Sequence, residues 1–148
     1  MKKEFKIISI SISEKRGVPK KPIKEAILKE NFGIIGDGHA GSEIKQVSLL
    51  ASEDILMLKK DLPPEITYGD FAENIATEGI DIQSLKVGDI LYLGDAILEI
   101  TQKGKHIPHD SIIFQTVGDG GLPKRGAFAK VIKGGKINNE SYCYYNIG

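Results

Sequence analysis

The sequence predicts a mainly β fold, a closed or half-closed barrel with one clear helix and short helical turns. Three observations carry that expectation. From Ile8 to Ser13 isoleucine and serine alternate strictly, the period of a strand with one buried face. The chain of 148 residues holds 17 glycines, well above the ordinary share of roughly 7%, with no low-complexity run to absorb them. Excess glycine of that kind marks tight turns between short strands. Only Glu53 to Lys60 reads clearly as a helix, with acids in its first turn, lysines in its last and Ser52 placed to cap it.

The elements follow in order. Phe5 to Ser13 is the first strand, and Glu14-Lys15-Arg16-Gly17 is a charged turn. Pro22 bars a helix at Lys20-Lys21. Pro22 to Glu30 fits a short strand or one helical turn. Asn31 to Ser42 carries Gly33, Gly36, Gly38 and Gly41 and reads as a loop. Gln46 to Leu50 is strand-like, and Leu62-Pro63-Pro64 ends the helix. Tyr68 to Thr77 is a loop entering a short element. Gly94-Asp95 joins Ile90–Leu93 to Ala96–Gln102 as a hairpin. Ile112 to Thr116 and Ala127 to Ile132 are further strands, with Gly134-Gly135 a turn. Nothing marks a linker or a repeat, so residues 1–148 read as one domain.

Composition narrows function. Twenty basic and twenty acidic residues cancel, so no global field attracts a polyanion, and nucleic acid is not expected as a partner. No apolar run reaches the ~18 residues of a membrane span, and the charged Met1-Lys2-Lys3-Glu4 is no signal peptide. One cysteine forms no internal disulfide, and the expected location is cytoplasmic. There is no P-loop or CxxC, and neither a haem nor a nucleotide cofactor is expected.

Polar residues gather in four segments. Gly36-Asp37-Gly38-His39-Ala40-Gly41 lets a ligand approach the backbone, with His39 as metal ligand, proton relay or phosphate partner; the pattern alone favours a glycine-rich turn whose histidine caps local carbonyls. In Tyr68-Gly69-Asp70-Phe71-Ala72-Glu73-Asn74-Ile75, two carboxylates and an amide could hold a heterocycle's N–H groups or a cation, or Asp70 and Glu73 could form a capping box. Thr101 to Ser111 crowds Lys105, His106, His109 and Asp110 around a proline. The His spacing is a weak metal signal, and Lys105 is the better candidate, as an anion contact. Arg125 follows a glycine loop and is placed to clamp a phosphate or carboxylate. Cys143, between tyrosines, reads as a small packing residue.

Taken together, Gly33 to Gly41 (GIIGDGHAG), Gln46 to Ala51 (QVSLLA), Gly69 to Asp81 (GDFAENIATEGID), Leu85 to Asp89 (LKVGD), Thr101 to Lys105 (TQKGK) and Pro123 to Gly135 (PKRGAFAKVIKGG) resemble the MOSC domain. This is the domain at the C-terminus of eukaryotic molybdenum cofactor sulfurases and in free-standing bacterial proteins. The resemblance runs from Lys6 to Ile137. It implies a barrel-like β fold and a pocket associated with molybdenum cofactor or sulfur transfer. Free-standing members follow G-K-x-C-x-x-x-C and V-G-D-C, and this chain has Ile107, Ser111 and Gly120 at those cysteines. A persulfide carrier or soft metal ligand needs thiolate, so the sulfur-carrier role does not carry over. The expectation is a domain binding molybdopterin-type cofactor or a related anionic heterocycle. Asp37, His39, Asp70, Glu73, Asn74, Thr101, Lys105 and Arg125 would contact it, with no protein-held metal. Two alternatives stand beside it: a non-catalytic module for another molybdenum-handling protein, and a sulfurtransferase using Cys143 or a partner's thiol.

Overall fold

The computed structural model describes residues 1–15, 18–104 and 125–146. The expected strand at 112–116, Lys105, and positions 107, 111 and 120 lie outside them.

Seven strands close a barrel. They are β1 (Lys2–Ile12), β5 (Val47–Ala51), β6 (Ile75–Glu78), β7 (Ile90–Leu93), β8 (Ala96–Lys103), β9 (Ala127–Lys133) and β11 (Cys143–Asn146). Their order round the ring is β11-β7-β8-β9-β5-β6-β1, and β1 pairs back onto β11. Every pairing is antiparallel except β5 with β6. β2 (Lys21–Ile23) extends the sheet beyond β1. A second sheet joins β3 (Glu25–Lys29), β4 (Gly33–Ile34) and β10 (Gly135–Asn138). The ambiguous 22–30 segment is thus two strands.

The barrel interior is the main core, filled by Ile7, Ile10, Leu49, Ile75, Leu91, Leu98 and Ile100 among others. A smaller cluster of Leu50, Ile55, Leu62, Phe71 and Ala76 lies outside it, under α1 (Ser52–Leu58). β5 therefore has both faces covered, and all five of its residues are buried.

The structure differs from the sequence expectation in β1 and at the start of α1. The register of β1 against β6 slips between Ile7 and Ser9, so a bulge shifts the phase of the strand. Phe5, Ile7 and Ile10 reach the core, while Ser11, expected on the solvent side, is buried. The helix begins at Ser52, not Glu53, and its cap position is Ala51, still extended as the end of β5. Ser52 caps nothing because the strand runs straight into the helix. The two lysines sit in a separate 3-10 turn, Lys59–Asp61. The 90–102 hairpin forms as expected. No helix among the described residues is long and apolar enough to cross a membrane.

Candidate functional site

The glycine-rich loop at 36–41 docks on the end of β1. Gly38 N–H donates to the Ser13 carbonyl at 2.7 Å, and Ser13 N–H donates to Asp37 Oδ1 at 3.1 Å. The fold also brings Lys20 here, a residue the sequence did not single out. Its residue is only 2% exposed, whereas Lys21 beside it is exposed. Lys20 Nζ donates to Asp37 Oδ1 at 2.7 Å and to Ser13 Oγ at 3.0 Å, and lies 3.3 Å from His39 Nδ1. Asp37 Oδ2 accepts the His39 main-chain N–H at 3.0 Å. Burial pushes the Asp37 carboxyl upward, but the Lys20 ammonium and the His39 main-chain N–H outweigh it and hold it well below the usual carboxylate range.

Lys20 also ties this loop to the second segment. Its N–H donates to the Gly69 carbonyl at 2.7 Å. Gly69 has φ +93°, and a Cβ there would stand 3.0 Å from Ser11 Oγ and 2.9 Å from the Lys20 carbonyl carbon. Only glycine lets the two chains approach this closely. Gly69 N–H donates to Glu73 Oε2 at 2.6 Å. Asp70 accepts from Thr67 N–H at 2.9 Å, a local cap. Asn74 works as a two-ended bridge: its Oδ1 accepts from Ser48 N–H and its Nδ2 donates to the Ser11 carbonyl. Asp70, Glu73 and Asn74 thus each bond backbone groups of the loops around them.

Ser48 and Phe128 face each other across β5 and β9. The Phe128 ring meets the His39 ring at 5.7 Å between centroids, and Lys45 Nζ lies 5.6 Å from the Phe128 centroid. Thr101 Oγ1 donates to the Ile44 carbonyl and fixes the segment that carries Lys45. Arg125 Nη1 pairs with Asp54 Oδ1 of α1 at 2.7 Å. Thus Asp37, His39, Asn74 and Thr101 gather round one outer face of β1, β5 and β9, with Lys20, Lys45 and Phe128 added. No sequence signal separates Lys20 from Lys21, or marks Phe128 as the ring beneath the histidine.

The described residues also line clefts beside and beyond this face. One of about 520 Å³, lined by Ile12, Ser13, Lys15, Val18, Lys21 and Gly36, adjoins the site through Ser13. Another of about 620 Å³ has Phe5, Glu78, Tyr142 and Cys143 in its wall.

Cys143 is remote from the site. It pairs with Phe5, at the opposite end of β1 from Ser13. Phe5 to Ile12 alone covers roughly 23 Å at ~3.3 Å per residue. Its residue is buried, Sγ donates to the Ser141 carbonyl at 3.4 Å, and burial pushes the thiol up to about 12. Among the described residues no three His, Cys, Asp or Glu side chains cluster as metal ligands.

Comparison with known proteins agrees with this architecture. The MOSC domain matches residues 36–105. The chain is 28% identical over 93 residues to the uncharacterized protein YflK of Bacillus subtilis (strain 168); this covers 58% of the chain and 41% of that protein, so the match spans about two fifths of the relative. Among solved structures, the YUAD protein of Bacillus subtilis aligns over 99% of both chains at a TM-score of 0.77 and 18% identity. YiiM from Escherichia coli aligns with 98% of this chain and 70% of its own, at a TM-score of 0.68 and 19% identity. These likenesses show the fold.

Proposed function

We propose that this chain, which carries a MOSC domain, binds an anionic heterocyclic ligand of molybdopterin type on the His39–Phe128–Lys45 face, with residues 1–148 acting as one such unit. The observation that carries the reading is the buried Lys20–Asp37–His39 chain. A buried ion pair is costly unless its geometry is well satisfied, and replacing it with apolar residues is often neutral or stabilising. Here it holds a buried histidine against the buried Phe128 ring, with the Lys45 ammonium on the same ring.

The donor set suits the organic part of such a cofactor. Phe128 gives an apolar wall, His39 a hydrogen-bonding edge and Lys45 a cation for phosphate. Asp37 orients His39; Asp70, Glu73, Asn74 and Thr101 hold the surrounding loops in place. Arg125 is committed to Asp54 and joins the site only as a neighbour. Lys105 remains the further phosphate contact expected from sequence. Metal or sulfur chemistry would be supplied by the cofactor itself, since the described residues bind and orient. A self-contained sulfurtransferase using Cys143 is disfavoured by that thiol's burial and distance.

The test is to purify the protein from molybdate-fed cells, then measure oxidised-pterin fluorescence and molybdenum content. Binding of cofactor released from a molybdenum enzyme is measured alongside. We expect binding weakened about tenfold or more by Lys45→Ala, as loss of a charge-assisted contact of ~1.5–3 kcal/mol implies. No pterin, no molybdenum and no binding of supplied cofactor would overturn the reading. Pull-down from native extract tests the interaction-module alternative.

A further inference from the structure

We propose that Lys20 is a positioning residue that fixes the tautomer of His39, so that the site offers an Nε2–H donor to its ligand. An ammonium has three N–H donors and no acceptor. Lys20 Nζ has three neighbours in reach: Asp37 Oδ1 at 2.7 Å, Ser13 Oγ at 3.0 Å and His39 Nδ1 at 3.3 Å. The third bond exists only if Nδ1 carries no proton and accepts. The competing arrangement, Nδ1–H donating to Asp37 Oδ2, spans 3.6 Å, too long for a hydrogen bond. Oδ2 also already accepts the His39 main-chain N–H at 3.0 Å. The ring proton of a neutral His39 therefore sits on Nε2, on the ring edge turned away from Lys20.

This deepens the function proposed above and rests on it for the identity of the ligand face. A site that presents Nε2–H selects a hydrogen-bond acceptor, such as a phosphate oxygen or a heterocycle's ring carbonyl. With the opposite tautomer Nε2 would accept, and the site would suit a ring N–H or a cation. Position matters as much as protonation. Lys20 is anchored through its own N–H on the Gly69 carbonyl, so the loop at 69–74 sets where the ammonium stands.

The experiment uses ligand-free protein labelled with ¹⁵N-histidine, the His39 signals being assigned with His39→Gln. In the wild-type protein near neutral pH, we expect Nδ1 in the unprotonated range and Nε2 in the protonated range. In Lys20→Met, Nδ1 is expected to move toward the protonated range, because Asp37 becomes its nearest charged neighbour. A wild-type His39 carrying its proton on Nδ1, or on both nitrogens, would overturn the proposal. So would a folded Lys20→Met protein whose Nδ1 signal does not move. Should that variant not fold, ¹⁵N-lysine labelling of the wild type decides: a coupling across the hydrogen bond between Lys20 Nζ and His39 Nδ1 is expected, and its absence refutes the assignment. The correct tautomer in a protein that binds no pterin would leave this inference standing and remove only the reading of the ligand.

Discussion

Gly69→Ala and Gly88→Ala form a matched pair, because the two glycines share a backbone conformation and differ in surroundings. Their φ angles are +93° and +99°. At Gly88 an added methyl would meet nothing within 4 Å. Its cost is the left-handed backbone alone, about 1–2 kcal/mol. At Gly69 the same methyl would run into the Lys20 carbonyl group and Ser11 Oγ. Backbone is the obstacle, so the two segments must part. Parting them loosens the Lys20 N–H bond to the Gly69 carbonyl and the Gly69 N–H bond to Glu73, each ~1 kcal/mol or more. The expected total for Gly69→Ala is about 3–5 kcal/mol. With a urea slope near ~2 kcal/mol per molar, its midpoint should fall by roughly 2 M and that of Gly88→Ala by less than ~1 M. Urea unfolding followed by circular dichroism reads both. Equal losses would refute the close approach of Lys20 to Gly69, and with it the route by which the second loop positions the ammonium.

Other outcomes follow from the same contacts. Asn74→Ala strips partners from the buried Ser48 N–H and Ser11 carbonyl, and thermal or urea unfolding should show a loss of about 2–4 kcal/mol. Asp37→Asn leaves the Lys20 ammonium without its counter-charge, so at pH 7 a loss of about 3–5 kcal/mol is expected. Because the native carboxyl titrates below its ordinary range, its contribution is present above pH ~4 and fades as pH falls below that. The gap between wild type and Asp37→Asn should therefore narrow in acid, while a Lys20→Met/Asp37→Leu double variant should cost less than either single change. Cys143 has the opposite sign: its thiol titrates near 12 when folded against 9.0 ordinarily, so it destabilises the fold progressively as pH rises from about 9 to 12. Native protein at pH 8 should resist iodoacetamide at Cys143 and react once unfolded.

The barrel was legible in the sequence where local pattern and tertiary role coincide. The Gly94-Asp95 hairpin is the example, since turn chemistry alone sets its register. Ile8 to Ser13 shows the limit. Its alternation named a strand correctly, but a bulge at Ile8 and a second layer over Ser11 decided which faces are buried, and both depend on residues about sixty positions away. Ser52 shows another: a capping residue is recognisable by type, yet whether it caps depends on where the preceding strand stops. At the site, Asp37 and His39 stood out because glycines surround them. Lys20 did not, because a lysine between prolines carries no mark of burial; its role is defined by Ser13 at the end of β1 and by Asp37 and His39 of the glycine loop.

The pairing of β1 with β11 has a consequence in time. Lys2 lies opposite Asn146, so the first strand waits for the last before the ring can close. Joining ends so far apart carries a loop entropy that grows only as ~(3/2)RT ln n, but no local contact offsets it early. The other end of β1 finds β2 and β6 much sooner. On a ribosome, the Ser13 end of the strand can be in place while residues 2–5 still present an open edge, the surface most prone to pairing with another chain. Errors in making this protein should therefore begin at the closing seam and spare the site.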